Sequence, residues 1–140
     1  MTTAVDTNVI VALWNPDPGI SKAAQEALDA ELMNGPLVLS APVFAELMAA
    51  PGRSEAFLNK FCGDTGLIID FHLEEPIWRS AGRAFQTYAG RRRKHRDPGP
   101  RRILADFLIG AHAMHRGYAL LTLDERLYGA AFPGLKLVVI

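Results

Sequence analysis

Four acidic residues occupy positions where a charge is costly. Asp6 closes the apolar pair Ala4-Val5. Glu46 interrupts Val43-Phe44-Ala45 and Leu47-Met48. Asp106 is the only charge between Ile103 and Ala111, and Asp124 follows Leu120-Leu121-Thr122-Leu123. A carboxylate in apolar surroundings must be paired, coordinated or protonated, because desolvation penalises its charged form. Brought together, the four would also repel one another. A divalent cation removes both difficulties, and an oxygen-only ligand set selects a hard ion, Mg²⁺ or Mn²⁺. Such an ion supplies what phosphodiester hydrolysis needs, an activated water and neutralised phosphoryl charge, with no histidine or serine nucleophile.

Each acid also has a plainer reading. Asp6 fits a helix N-cap after a strand, Asp124 a cap or turn before Glu125-Arg126-Leu127, and Glu46 a solvated helix position. Asp106 resists dismissal, since Ile103, Ile109 and Gly110 surround it at helical spacing. Any one of these acids is more often structural than catalytic, and only their conjunction points to a site. His112 and His115, three apart, lack a cysteine or third ligand for zinc. They read as a packed and a surface residue, Cys62 as core, and Trp14, Trp78, Phe85 and Tyr88 as packing or interface residues.

The elements that must position these acids alternate between strand and helix. Strands are expected at Ala4–Asp6, Leu37–Leu39, Leu67–Ile69, Tyr118–Thr122 and Leu135–Ile140. Helices are expected from Thr7, over Ser21–Met33, from Ser40-Ala41-Pro42 to about Ala50, over Ser54–Cys62, Glu74–Arg93 and Arg102–Arg116. Asn15–Gly19 reads as a loop, and Asp97-Pro98-Gly99-Pro100 breaks the chain. The helix over Arg102–Arg116 is apolar almost all round and should be buried. This alternation implies an α/β fold, a three-layer α/β/α sandwich with a mostly parallel central sheet, in one domain over residues 1–140. Ligands of such sheets bind beyond the carboxyl ends of the strands. Asp6 and Asp124 fall at strand ends, and Glu46 and Asp106 in the first turns of helices, so all four can share that edge.

The composition, 49% hydrophobic and 21% charged, suits a folded globular chain and excludes wholesale disorder. The lone Cys62 excludes an internal disulfide framework. No basic leader precedes an apolar run, and no run approaches the roughly 20 residues of a membrane span, so a cytoplasmic protein is expected. The net charge is zero but uneven. Residues 91–102 carry Arg91, Arg92, Arg93, Lys94, Arg96, Arg101 and Arg102 against Asp97 alone. Cations favour a helix C-terminus. Such density beside Pro98-Gly99-Pro100 favours instead a mobile arm that grips nucleic-acid phosphates, giving affinity rather than sequence choice.

With these residues in hand, the chain resembles the PIN-domain ribonucleases, and within them the VapC-type toxins of toxin–antitoxin pairs. The resemblance rests on Val5-Asp6-Thr7-Asn8, Pro42-Val43-Phe44-Ala45-Glu46, Asp106-Phe107-Leu108-Ile109-Gly110-Ala111-His112-Ala113 and Leu121-Thr122-Leu123-Asp124, and covers nearly the whole chain. It implies an acidic pocket of Asp6, Glu46, Asp106 and Asp124 holding Mg²⁺ or Mn²⁺, supported by Thr7 or Asn8 and Thr122. Asp6 and Asp106 are expected as direct ligands, with Asp124 and Glu46 acting through water or on a second ion. It further implies endonucleolytic cleavage of RNA, tRNA first among candidates, a homodimer, and a small VapB-type antitoxin. The length and charge of the Arg91–Arg102 stretch are not taken as family constants. An aspartate-nucleophile phosphatase would want a second Asp where Asn8 stands, and Lys136 is poorly placed for a receiver module. The remaining alternatives are a PIN-like RNA-binding module without activity and an RNA-processing nuclease that is not a toxin.

Overall fold

The protein, seen in a computed structural model, is described over residues 1–95 and 101–140. The expected chain break at Asp97-Pro98-Gly99-Pro100, and Arg96 of the basic stretch, lie outside the described residues. The elements run β1 (Thr3–Val5), α1 (Thr7–Leu13), α2 (Pro18–Asn34), β2 (Leu37–Ser40), α3 (Ala41–Leu47), α4 (Glu55–Thr65), β3 (Ile68–Asp70), α5 (Glu75–His95), α6 (Leu104–Arg116), β4 (Ala119–Thr122), α7 (Glu125–Ala131) and β5 (Leu137–Val139).

The five strands form one parallel sheet in the order β3-β2-β1-β4-β5. Val5 pairs with Leu121 and Ala4 with Val38, so β1 is central. Its residues Thr3, Ala4 and Val5 are all buried, as is β4 from Ala119 to Thr122, which requires helices on both faces. The result is the α/β/α sandwich that the alternation predicts. Chain order runs outward from β1 to β3, then returns past β1 to β4 and β5. The strand order therefore reverses between β1 and β4, and in parallel sheets the carboxyl ends at such a reversal are where ligands bind.

Helix ends shift by two or three residues from expectation, α3 stopping at Leu47 rather than about Ala50, α4 running on to Thr65 and α5 to His95. Two helices differ more, α2 in its start and α7 in its existence. α2 starts at Pro18, inside the presumed loop, because Asp17 caps it by accepting from the Gly19 amide and Pro18 needs no amide of its own. α7 follows Asp124, which accepts from the Leu127 amide; at seven residues, it is too short to show a periodicity. α6 is buried from Phe107 to Ala113, as its apolar circumference requires, and stops at Gly117, whose φ of 72° suits glycine.

Candidate metal centre and its basic flank

Asp6 stands at the carboxyl end of β1 and the start of α1, at the N-cap position. Its carboxylate does not cap that helix. It turns across the sheet and accepts a 2.8 Å hydrogen bond from the fully buried Thr122 hydroxyl at the end of β4. The two strand ends are also tied by the Asp6 amide donating to the Leu121 carbonyl. Asp6 is thus fixed at the reversal point and only 4% exposed. Burial, with the nearby charge of Asp106, raises its pKa from 3.8 to about 6 against the hydrogen bond from Thr122.

Asp106 sits in the first turn of α6, where its carboxylate accepts from the Ile103 amide at 3.3 Å. Its pKa is raised by burial and by the charge of Asp124, opposed by the Ile103 amide and Arg102. Asp124, at the end of the β4 turn, caps α7 and takes a 2.6 Å ion pair from Arg102 Nη1. The structure thus brings Asp106 within range of Asp6's charge on one side and Asp124's on the other. Glu46 on α3 has its Oε1 accepting from the Thr7 hydroxyl at 2.7 Å. Thr7 follows Asp6 directly, so Glu46 joins the rim through it.

The small polar residues divide the remaining work. The Thr122 hydroxyl accepts from the Asp124 amide at 2.9 Å while donating to Asp6, linking two of the acids through one side chain. Asn8 Oδ1 accepts from the Leu123 amide and fastens the turn that carries Asp124. Sequence reasoning missed Tyr128, a fully buried residue of α7. Burial, together with the charges of Asp6, Asp106 and Asp124, pushes its phenol pKa upward. The hydroxyl lies beside Asp6 yet finds no hydrogen bond of good geometry. Its spacing of four from Asp124 was the available signal, but only once α7 is known to be a helix.

Among the described residues, no three His, Cys, Asp or Glu side chains enclose a metal-sized space in their present rotamers. Asp124 is engaged by the Arg102 guanidinium. The donor chemistry nevertheless fits a hard divalent ion. It is oxygen-only, it includes a buried acid with no cation of its own, and an orphaned phenol borders it. Asp6 and Asp106 are the side chains that would hold such an ion, with Asp124 joining once Arg102 yields.

The basic residues are placed differently from a detached arm. α5 continues to His95, so Arg91, Arg92, Arg93 and Lys94 belong to its last turns, where cations meet the negative helix end. Arg101 and Arg102 precede α6. His112 is buried, with Nε2 2.9 Å from Asp70, and His115 is exposed; neither approaches a zinc site.

A PIN-domain family model matches residues 3–133. No curated protein matches the chain. Among solved structures, the chain is similar to VapBC2 from Rickettsia felis bound to a promoter DNA fragment, at 18% identity and a TM-score of 0.63, covering 100% of this chain and 99% of that one. A toxin–antitoxin complex from Klebsiella pneumoniae gives 19% identity, a TM-score of 0.66 and coverage of 98% and 96%. FitAcB from Neisseria gonorrhoeae gives 23% identity, a TM-score of 0.60 and coverage of 96% and 95%. At these identities, the likeness is one of fold.

Proposed function

The chain belongs to the PIN-domain family, and we propose that it is a metal-dependent endoribonuclease of the VapC type, the toxin of a toxin–antitoxin pair. The observation that carries this reading is a buried, cation-free Asp6 beside Asp106 at the β1/β4 reversal. A structural acid would be neutralised by the chain itself.

Bound Mg²⁺ or Mn²⁺ would supply an acidified water and charge neutralisation at the scissile phosphate. The residues do the rest. Asp6 and Asp106 would hold the ion directly, Asp124 and Glu46 would act through water or on a second ion, and the hydrogen bonds from Thr122 and Thr7 keep Asp6 and Glu46 aimed. Asn8 fixes the turn. Arg91, Arg92, Arg93, Lys94, Arg101, Arg102 and Arg96 are assigned to the phosphates of the RNA. The tRNA preference rests on family resemblance.

The names of similar structures, VapBC2 and a toxin–antitoxin complex, support a VapB-type antitoxin as partner. Exposed Val11, Ile20, Leu32 and Met33 on α1 and α2 give apolar surface for a partner chain or a second copy to cover. No helix among the described residues is long and apolar enough to cross a membrane; we assign the protein to the cytoplasm on family resemblance.

The test is cleavage of total cellular RNA with Mg²⁺, with and without EDTA, by the parent, Asp6→Asn and Asp106→Asn. Both variants and the EDTA sample are expected to lose cleavage while RNA binding survives. Cleavage by both variants at the parental rate would refute the site.

A further inference from the structure

The acids border a groove of opposite sign. Between α5 and α7 lies a cavity of about 480 Å³ whose polar lining is Tyr88, Arg91, Arg92, His95, Arg102 and Arg126. A second cavity of about 300 Å³ shares Arg91, Ala130 and Ala131 with it and adds Ser80, Arg83 and Thr87. The shared walls make the two a single groove. No acid lines either part.

The sequence of α5 explains the lining. Arg83, Thr87 and Arg91 are spaced by four and share a helix face, and Tyr88, Arg91, Arg92 and His95 continue it at i, i+3, i+4 and i+7. Arg93 and Lys94 fall outside that stripe and line neither cavity. The basic run that looks uniform in sequence is therefore split between groove and solvent. Arg83 to Arg91 spans roughly 12 Å along the helix axis, enough for more than one phosphate.

The groove is built, not merely charged. The Tyr88 hydroxyl accepts from the Arg102 amide at 2.8 Å and from Arg92 Nη1 at 3.3 Å, fixing two of its cations. Ala130 and Ala131 keep the α7 wall low, and Phe107 and Leu127 give it an apolar floor. No carboxylate among the described residues pairs with Arg83, Arg91 or Arg126. Arg102 belongs to both regions, lining the groove while Nη1 touches Asp124.

We infer that the α5–α7 groove binds the single-stranded RNA backbone beside the bond to be cut, with Arg102 nearest the acids, Arg91 and Arg126 next, and Arg83 farthest. This rests on the nuclease reading and extends it to Arg83, Arg126, Tyr88 and His95. A strand of alternating phosphate and ribose matches cations at intervals over an apolar floor.

The experiment uses fluorescence anisotropy of a labelled single-stranded RNA decamer in EDTA, so that nothing is cut. The parent, Arg83→Gln, Arg126→Gln and Arg79→Gln are compared. Arg79 lies on α5 outside the groove, paired with Glu75. Each groove variant is expected to weaken binding several-fold and to lower the slope of log affinity against log salt by about 0.7 between about 50 and 200 mM. Arg79→Gln should leave both unchanged, and unlabelled single strand should displace the probe better than blunt duplex at equal phosphate. Parental affinity and slope in both groove variants, an equal loss in Arg79→Gln, or equal displacement by duplex would overturn the inference. If that happens while Asp6→Asn still abolishes cleavage, the nuclease reading stands without the groove. If the groove variants lose affinity but the parent cuts no RNA, the groove stands and the nuclease reading falls.

Discussion

Replacing Asp6 by asparagine should destroy activity and yet stabilise the metal-free protein. Asp6 has a pKa of about 6 in the folded chain against 3.8 for an unperturbed carboxyl. The folded state therefore holds this proton more tightly than the unfolded state. That contribution to stability is complete below about pH 4 and is lost as the pH rises through about 6. At about 1.4 kcal/mol per pH unit, the charged group costs about 3 kcal/mol at neutral pH. An uncharged amide of the same shape escapes that cost and can still accept from Thr122. Its NH₂ faces the orphaned Tyr128 hydroxyl, which can accept from it. Imperfect geometry there takes back part of the gain. We expect a net stabilisation of about 1–3 kcal/mol, or about 3–10 °C in Tm for a domain of this size.

Thermal unfolding followed by circular dichroism, in EDTA, at several pH values, measures it. The gap between variant and parent should be near zero at pH 4, open between pH 4 and 6, and stay level above. Adding Mg²⁺ should raise the parent's Tm and not the variant's, narrowing the gap from the other side. A variant no more stable than the parent at neutral pH would refute the account of Asp6 as an unneutralised buried charge. A gap of equal size at pH 4 would assign the effect to packing instead.

Two further perturbations test the surroundings of the site. Arg102→Gln removes the cation from Asp124, a partly exposed pair worth about 1 kcal/mol or less. Calorimetric titration with Mn²⁺ in the absence of RNA should show affinity rising by up to about fivefold, and a weakened affinity would contradict the competition. Gly110→Ala drives a methyl group into the ring of buried Phe132. It should lower stability by about 1–3 kcal/mol, read as a shift in the urea midpoint, and an unchanged midpoint would mean that Phe132 has room to move.

Asp6 and Asp106 stood out as candidates because a charge is conspicuous against apolar neighbours, and the burial this implied is seen fully at Asp6 and in part at Asp106. The parallel sheet was legible for the same reason, since its strands are hydrophobic on both faces. What sequence could not show depends on side chains meeting across long separations. Arg102 reads as one cation in a basic run, and its contact with Asp124 exists only because the start of α6 lies beside the end of β4. Tyr128 was hidden by the shortness of α7. The division of the basic run into groove and solvent faces needs the helix to reach His95, two residues past the expected end. His112 could be read as a packed polar residue, but not its partner Asp70, 42 positions earlier.

That partner bears on whether the acid site is functional at all. In a parallel sheet every strand delivers its following residue to the same edge, so an acid at that edge is no proof of chemistry. Asp70 ends β3 in the same way that Asp6 follows β1. Around Asp70, the chain supplies its own neutralisation. Burial raises the carboxyl, but bonds from His112, the His72 amide and Arg116 overcome it and take the pKa down to about 2. Arg116 also binds Glu74 at 2.7 Å, locking α6 to the start of α5. This fold can therefore tie down an edge acid with its own cations where the role is structural. Asp6 is the more deeply buried of the two and receives a hydroxyl and no cation. This contrast between two acids on one edge, one neutralised by the chain's own cations and one not, is what supports the proposed metal site at Asp6.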